Sequence, residues 1–407
     1  MPLPHSQWAQ NLKPSPTLAI KAVADSLRCA GEEVFDFGVG EMNPQIPIPA
    51  LLTEAMKSAL DANETHYSPA SGDGDLVEAI RVDLTRFKLE YSNDQIVVCP
   101  GPKDAIFKAA LTLLDPTARR HRLVMFAPGY ESFENTPMLL TGKPPVVLET
   151  DSQFLPDPDQ LADLLRKDDS IAAVVLNSPN NPTGAVYQRS LLEKLAAVIG
   201  RHEEVAVLSD EVYRTIYYDD NEYASIATLL PEQVFVVGGM SKEVSGTGLR
   251  LGFVAGPRNV MRSIEVVEGN VSSCVNLPTQ KGYAHFLQQD SDFAMRSEIR
   301  DELCRRRDRL LKCFDCAAPE AVWHKPSGAF YFFPDMRAYL GRRTEAGGVI
   351  ESDEDLSRYL VERAHVVATA GSSFQRPGHL RFAYAVSFAT IDTGMERLGE
   401  ALAHLEK

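Results

Sequence analysis

Short apolar, β-branched runs alternate with helix-like segments through the middle of this 407-residue chain. The strand candidates are 95–99, 122–127, 145–149, 172–177, 205–209, 234–238 and 251–255, and helix candidates such as 103–114 and 190–201 lie between several of them. Alternating strands and helices predict a mainly parallel sheet with helices on both faces. We therefore expect a three-layer α/β/α unit.

Several of these strands end in polar loops rich in glycine and proline. The loops are 100–103, 128–130, 177–184 and 209–211. Ligands of such sheets bind beyond the carboxyl ends of the strands. We therefore expect the four loops to surround one site.

The pattern changes after about residue 290. A long charged helix candidate at 292–314 leads to shorter strand candidates at 328–333 and 379–385 and to a closing helix. The first 45 residues carry one helix candidate, 17–30, which we expect to pack on this part. The sequence predicts a large domain at 46–290 and a smaller α+β domain formed by 1–45 together with 291–407.

The charge balance bears on the partners of the protein. A net charge of −15 disfavours a surface for nucleic acid or for an anionic membrane. No apolar stretch reaches the ~18 residues of a membrane span, and the first residues lack a basic-then-apolar signal pattern. We expect a cytoplasmic protein without nucleic-acid or membrane partners.

The six cysteines are scattered, and only Cys313 and Cys316 have the spacing of a zinc or redox pair. A zinc ribbon needs a second close pair, which the sequence lacks. A helix pattern at 301–312 ends near the pair. Packing thiols are the favoured interpretation, and no metal site is predicted.

Lys242 stands within the small-residue run 238–252, and Arg250 follows it eight positions later. A thin loop lets a flat ring approach an amine that condenses with a carbonyl. A fixed guanidinium suits a phosphate on the same molecule. An aldehyde joined to a phosphate describes pyridoxal phosphate. The alternative is a flexible glycine loop with a solvated lysine.

Three polar residues at strand ends suit the same ring. Asp210 follows the apolar run 205–208 and can pair with a protonated pyridine nitrogen, with an N-cap for the segment after it as the alternative. Tyr213 can hydrogen-bond the phenolic oxygen of the ring, or simply pack. Asn181 precedes a proline and is pushed out of the helical region, so its amide can reach a ring substituent. Its alternative is a surface turn.

Other candidates come from the remaining loops and from the predicted small domain. The segment 101–104 opens a helix, where backbone N–H groups suit a phosphate, although Pro102 removes one donor. Tyr130 can stack on an aromatic face. Arg381 lies on an apolar strand, where a substrate carboxylate and a structural salt bridge are both possible partners.

Taken together in chain order, these residues resemble the class I aminotransferases, which are fold-type I pyridoxal-phosphate enzymes. The resemblance runs from about residue 11 to the C-terminus. It rests on Lys242 with Arg250, Asp210 with Tyr213, Asn181 within 180–184, and Arg381. The stretches 11–17 and 101–103 are similar to those of the bacterial-type aspartate aminotransferase branch.

The resemblance implies a role for each of these positions. Lys242 would hold the cofactor and act as general base, Asp210 would pair with the ring nitrogen, and Arg250 would bind phosphate. Cofactor contacts would also come from Asn181, Tyr213, Tyr130, Pro102, Lys103, Ser241 and, from the other subunit of a homodimer, Tyr67. The substrate α-carboxylate would be received by Arg381, Gly40 and Asn181, and a side-chain carboxylate by Lys103.

Some positions depart from the family pattern. Gly239 stands where a phosphate-binding serine is frequent, and Ser241 is the candidate to replace it. The stretch 40–44 differs from the usual Gly-Glu-Pro-Asp, and 270–276 lacks the arginine that another aspartate aminotransferase branch uses. These departures concern the substrate and the phosphate contacts more than the identity of the cofactor.

The predicted function is transfer of an amino group between an L-amino acid, with an acidic donor as the candidate, and a 2-oxo acid. Lys242, Asp210 and Tyr213 are the predicted catalytic residues. One alternative is a pyridoxal-phosphate lyase, decarboxylase or oxidase acting on one amino acid. The other is a non-enzymatic module that binds the cofactor or an amino acid, which the short, non-basic segment before residue 45 disfavours.

Overall fold

The computed structural model describes the backbone from residue 16 to residue 407 and the side chains from residue 22 onward. Of the stretch 11–17, residues 11–15 therefore lie outside the described part. The helices are α1 (Pro16–Cys29), α2 (Ala50–Asp61), α3 (Gly74–Thr85), α4 (Pro102–Leu113), α5 (Ser132–Thr141), α6 (Pro158–Lys167), α7 (Arg189–Ile199), α8 (Met240–Glu243), α9 (Arg258–Val271), α10 (Leu277–Gln289), α11 (Ala294–Ala317), α12 (Asp353–Ala364) and α13 (Phe388–Ala403). The strands are β1 (Phe35–Asp36), β2 (Ile96–Cys99), β3 (Arg122–Ala127), β4 (Val146–Glu149), β5 (Ile171–Asn177), β6 (Ala206–Asp210), β7 (Val234–Gly238), β8 (Gly252–Ala255), β9 (Tyr331–Phe332), β10 (Val366–Val367), β11 (Thr369–Ala370) and β12 (Leu380–Ala383).

The seven strands β2 to β8 form one sheet in the order β2-β8-β7-β6-β5-β3-β4. All neighbours in it run parallel except β8, which is antiparallel to β2 and β7. The seven predicted strands are thus confirmed, each to within one residue at either end. Asp210, predicted to follow its strand, is instead the last residue of β6.

The central strands are buried on both faces, which explains why they read as unbroken apolar runs. Every residue of β5 is buried. Ala173 and Val175 belong to the core on one face of the sheet, and Val174 and Leu176 to the core on the other. Since side chains alternate across a strand, one run supplies both layers. The predicted α/β/α arrangement is confirmed.

The remaining strands form two small sheets. β1 pairs in parallel with β10, and β11, β12 and β9 form an antiparallel sheet. The β1–β10 pairing joins a segment before residue 45 to one after residue 290. The predicted strands at 328–333 and 379–385 are too long, since only β9 and β12 form ladders there, while Gly328 and His379 form isolated bridges to Tyr217 and Asp335. The division into two domains stays a prediction.

α11 confirms the predicted long charged helix, displaced by two to three residues toward the C-terminus. It continues past the predicted end at residue 314 and includes both Cys313 and Cys316, whose thiols are free. It is the longest helix of the described part and is strongly charged. No helix there is at once long and apolar enough to cross a lipid bilayer.

Candidate active site

A cavity of about 340 Å³ opens beside the carboxyl ends of β5, β6 and β7. Its volume falls in the range of small-molecule sites. It brings together all the predicted site residues except Tyr67: Gly40, Pro102, Lys103, Tyr130, Asn181, Asp210, Tyr213, Ser241, Lys242, Arg250 and Arg381. The predicted location beyond the strand ends therefore agrees with the structure.

Lys242 lies on α8, a single helical turn that follows β7 directly. The Nζ atom donates a hydrogen bond to the carbonyl oxygen of Gly40. Burial and the nearby charge of Arg381 lower the pKa of the Lys242 amine to about 8. A solvated loop lysine would not be held in this way. An amine with this pKa is partly neutral at physiological pH, which suits a nucleophile or a proton acceptor.

A buried cluster of charges contacts α8 through Glu243, which does not line the cavity. Glu243 lies 2.8 Å from the Nε atom of Arg214, and Arg214 Nη2 donates to Asp83 at 2.8 Å. Arg296 Nη2 donates to the other oxygen of Asp83 at 2.8 Å. All four side chains are buried. This cluster was not predicted, because its only local signal in the sequence is that Glu243 follows Lys242.

Asp210 ends β6 in register with Asn177 at the end of β5. The side chain is buried, and its one hydrogen bond within the described chain is accepted from the backbone N–H of Val212 at 3.3 Å. Burial raises the pKa of Asp210 to about 7, and the charge of Glu211 adds to the rise. A cation beside this carboxylate would favour its ionised form. A turn follows β6 rather than a helix, and the hydrogen bond from Val212 makes Asp210 a cap of that turn, as the alternative predicted.

Tyr213 is buried, and its hydroxyl lies 2.8 Å from the hydroxyl of Tyr331. Tyr331 also lines the cavity, and the sequence analysis missed it. A Cβ atom at Gly40 would lie 2.4 Å from the Tyr331 hydroxyl, so a side chain at position 40 would push that ring out of place. The aromatic run 330–333 was a signal for Tyr331, but it was used only to predict a strand.

Arg381 joins β12 to the loop after β5. Its Nη1 donates to Oδ1 of Asn181 at 3.0 Å, and its Nη2 donates to the carbonyl of Gly38 at 2.7 Å. The guanidinium lies 4.7 Å from the rings of Tyr331 and Phe374, and Nε is buried without a partner among the described residues. It forms no ion pair with a described carboxylate, so the alternative of a structural salt bridge for Arg381 is wrong. A buried guanidinium of this kind suits an anionic ligand.

The start of α4 faces another guanidinium. Arg250 Nη1 and Nη2 donate to the carbonyls of Thr247 at 2.7 Å and Pro100 at 3.3 Å. Gly101 precedes the helix with φ of 96°, and a Cβ atom there would lie 2.4 Å from Arg250 Nη2. Pro102 occupies the first helical turn, as predicted. A cation against a helix N-terminus is a favourable site for a phosphate.

Gly239 explains one departure from the family pattern. Its φ is 152°, and a Cβ atom on it would lie 2.6 Å from the Cα atom of Gly252. A serine at position 239 therefore has no room. The hydroxyl of Ser241 lines the same cavity, is buried, and has no hydrogen-bond partner among the described residues. This unpaired hydroxyl is the group that fits the missing phosphate contact.

Lys103 and Tyr130 lie toward the solvent side of the cavity. The side chain of Lys103 is 55% exposed, and its Nζ atom lies 3.6 Å from Oε1 of Glu131 and 5.5 Å from the centre of the Tyr130 ring. Lys103 is therefore paired rather than merely solvated. Tyr130 is half-buried, and its ring packs edge-on against Phe133.

Tyr67 is the one predicted site residue that lies outside the cavity. It belongs to the loop between α2 and α3 and is 82% exposed. Within one chain it does not reach the other site residues. Its expected role was in the site of a second subunit, and that role stays a prediction.

One group of described side chains has the spacing of a metal site. Ligand atoms of Cys99, Asp104 and Glu268 lie within 4.8 Å of one another. The ammonium of Lys108 is bonded to Glu268 and lies 2.5 Å from Asp104 Oδ2. Lys108 already pairs with both carboxylates, so we interpret the group as an ion-pair cluster that ties α4 to α9.

Comparison with known proteins assigns the family. The family model for class I and II aminotransferases matches residues 32–398. The chain is a class I/II aminotransferase. These enzymes depend on pyridoxal phosphate and act on an amino acid and a 2-oxo acid, so the predicted cofactor and reaction class are confirmed.

The relatives of this aminotransferase point to one branch. It is 34% identical to a probable aspartate/prephenate aminotransferase of Aquifex aeolicus, over 97% of this chain and 98% of the relative. It is 32% identical to a bifunctional aspartate aminotransferase and glutamate/aspartate-prephenate aminotransferase of Petunia hybrida, over 98% of this chain and 83% of the relative. The solved aspartate aminotransferase of Rhizobium meliloti superposes with a TM-score of 0.91 at 29% identity, over the whole of both chains. The predicted fold and the bacterial-type resemblance are confirmed.

The cavity of this aminotransferase fits its cofactor. A buried carboxylate suits a ring nitrogen, a partly neutral amine suits an aldehyde, and Arg250 with the start of α4 suits a phosphate. The family and the relatives favour amino transfer over a lyase, decarboxylase or oxidase, and over a non-enzymatic binding module.

Proposed function

We propose that this aminotransferase takes the amino group from L-aspartate, or from a closely similar acidic donor, and gives it to a 2-oxo acid. The observation that carries the proposal is the pair of cations that face one cavity. The Arg381 guanidinium is buried and has no carboxylate partner among the described residues. Lys103 lies at the solvent side of the cavity. Two cations suit a substrate with two carboxylates. Relatives with aspartate in their names support the same choice.

Pyridoxal phosphate, when bound, supplies a ring that draws electrons away from the substrate α-carbon. Lys242 would hold the cofactor through its Nζ atom and, once the substrate amine replaces it, carry the α-proton as general base. The low pKa of this amine supports both roles. Asp210 would keep a proton on the ring nitrogen, because a buried carboxylate is stabilised by a cation beside it.

Other residues of the cavity would position the two molecules. Tyr213 and Asn181 would bind the phenolic oxygen of the ring, and Tyr130 would stack on the ring. The phosphate would lie against Arg250, Ser241 and the first turn of α4, which includes Pro102 and Lys103. Arg381 would bind the α-carboxylate with help from Asn181, whose Oδ1 already orients the guanidinium. Gly40 would leave room for that carboxylate beside Tyr331.

The assembly belongs to the same proposal. The enzyme would work as a homodimer in which the exposed Tyr67 serves the site of the other subunit. Its chain would divide into a large domain at 46–290 and a small domain formed by 1–45 and 291–407, which the β1–β10 pairing supports. The free cysteines favour a reducing, cytoplasmic compartment. The net charge of −15 disfavours nucleic-acid and anionic-membrane partners.

The dependence on an acceptor tests the reaction. With L-aspartate and 2-oxoglutarate, we expect oxaloacetate and glutamate in equal amounts over many turnovers. With aspartate alone, oxaloacetate should stop at about one equivalent per site, because the amino group stays on the cofactor. Chromatography of both products checks this. Continued product formation without an acceptor would instead indicate a lyase, decarboxylase or oxidase.

Two substitutions separate the proposed carboxylate contacts. Lys103→Ala should lower kcat/KM for aspartate by roughly ten- to a hundredfold and leave kcat/KM for alanine nearly unchanged, since only aspartate has a second carboxylate. Arg381→Ala should lower kcat/KM for both donors, because both carry an α-carboxylate. Lys194→Ala removes an exposed lysine on α7 and is the control. Equal losses for aspartate and alanine in Lys103→Ala would exclude the acidic-donor assignment.

A further inference from the structure

Glu131 lines the cavity beside Lys103, and neither the sequence analysis nor the proposed mechanism uses it. It immediately precedes α5 and is 8% exposed. Its Oε1 atom lies 3.6 Å from the Nζ atom of Lys103. The cation proposed to receive a distal carboxylate is therefore already next to a carboxylate of the protein.

This arrangement creates a competition for one cation. A substrate carboxylate that reaches Lys103 also comes close to Glu131, and two like charges at one site repel each other. The two partners differ in freedom. Lys103 has a long and largely exposed side chain, whereas Glu131 is buried at the start of a helix. The lysine is thus the partner that can turn toward a substrate, and the glutamate is the one that stays.

We propose that Glu131 is a specificity-determining residue that weakens the binding of dicarboxylates and so narrows the preference of the site for acidic over neutral donors. The inference rests on the proposed function, because it assumes that Lys103 receives the distal carboxylate. With a neutral donor, Lys103 remains on Glu131 and the cavity contains no unpaired charge at that end. With an acidic donor, the substrate must take Lys103 away from Glu131.

Binding of two unreactive acids to the holoenzyme tests the proposal. Succinate has the second carboxylate and butyrate lacks it, and isothermal calorimetry measures both dissociation constants. Glu131→Gln should lower the dissociation constant of succinate by about three- to tenfold, because Lys103 is then no longer paired with a protein carboxylate while the shape of the site is kept. The dissociation constant of butyrate should stay within twofold of the wild-type value. Should the glutamine variant not fold, Glu131→Met removes the same charge at a similar length.

Two controls separate this effect from a general change of charge. Glu134→Gln removes a carboxylate on α5 that bonds Gln375 at 2.6 Å and does not line the cavity, so succinate binding should not change. In the Lys103→Ala background, Glu131→Gln should tighten succinate by less than twofold, because the contested cation is absent. Equal gains in Glu134→Gln or in the Lys103→Ala background would overturn the proposal, as would an unchanged succinate affinity in Glu131→Gln.

The proposed function and this inference fail in different ways. An enzyme that transfers no amino group from aspartate, while Glu131→Gln still tightens succinate, would overturn the proposed substrate alone. An enzyme that uses aspartate, with succinate affinity insensitive to position 131, would overturn the role of Glu131 alone.

Discussion

Replacing Lys242 with alanine is expected to abolish turnover, with a loss of about 10⁴-fold or more in kcat. The reason is that one amine is proposed to serve twice, first as the attachment point of the cofactor and then as the base that carries the α-proton. The structure places this amine in the cavity, on the carbonyl of Gly40, with its pKa lowered to about 8. Steady-state assays with aspartate and 2-oxoglutarate measure the loss.

The same variant should still fold. The lowered pKa means that the protonated amine is less stable in the folded chain than in the unfolded one, so below about pH 8 its burial opposes folding. The cofactor-free Lys242→Ala variant should therefore melt no lower than the cofactor-free wild type at pH 7. Borohydride should fix the cofactor to Lys242 in the wild type, as shown by mass spectrometry of the labelled peptide. Fixation at another lysine would refute the assignment.

Asp210→Asn is expected to keep the cofactor bound and to lower kcat by about 10²–10³-fold. The phosphate contacts proposed for Arg250, Ser241 and α4 remain, so binding of the cofactor should change little. An amide cannot hold the ring nitrogen protonated, so the ring draws electrons less strongly from the substrate. The rate and the cofactor dissociation constant, measured on the same preparation, separate the two effects.

Asp219→Asn is the matched control for this change. Asp219 is partly exposed and pairs with Arg307 and Lys325 away from the cavity, so its loss should leave kcat unchanged. A rate within a few-fold of the wild type in Asp210→Asn would mean that Asp210 only accepts the N–H of Val212 in the turn after β6.

The large sheet was predictable because its strands are buried on both faces. β5 and β7 consist of apolar residues along almost their whole length, so composition alone marks them. The same rule overestimated β9. Phe330 and Phe333 are fully or nearly fully buried, yet they pack through their rings and form no ladder with a neighbouring strand. In the sequence, a buried apolar run that pairs with no neighbouring strand looks the same as a β-strand.

The residues of the site also divide into those that the sequence could predict and those that it could not. Lys242, Asp210 and Asn181 could be predicted because each follows or ends a strand, where the loops of such a sheet converge. Glu131 and the four buried charges around Glu243 could not be predicted, because their partners lie far away in the sequence. Asp83 and Arg296, for example, meet although all seven strands of the large sheet lie between α3 and α11 in the sequence. Spacing along the chain has no signal for such contacts.

The close packing around Gly101 and Gly239 has a consequence for changing this enzyme in the laboratory. At the phosphate end of the cavity even one added methyl group would meet Arg250 or Gly252, so a library that varies these glycines would consist mostly of proteins unable to retain the cofactor. Lys103 lies at the solvent side of the cavity, and the buried Glu131 beside it also carries a full side chain. Randomising positions 103 and 131 together should yield enzymes with new donor preferences, because the phosphate contacts proposed for Arg250 and Ser241 remain.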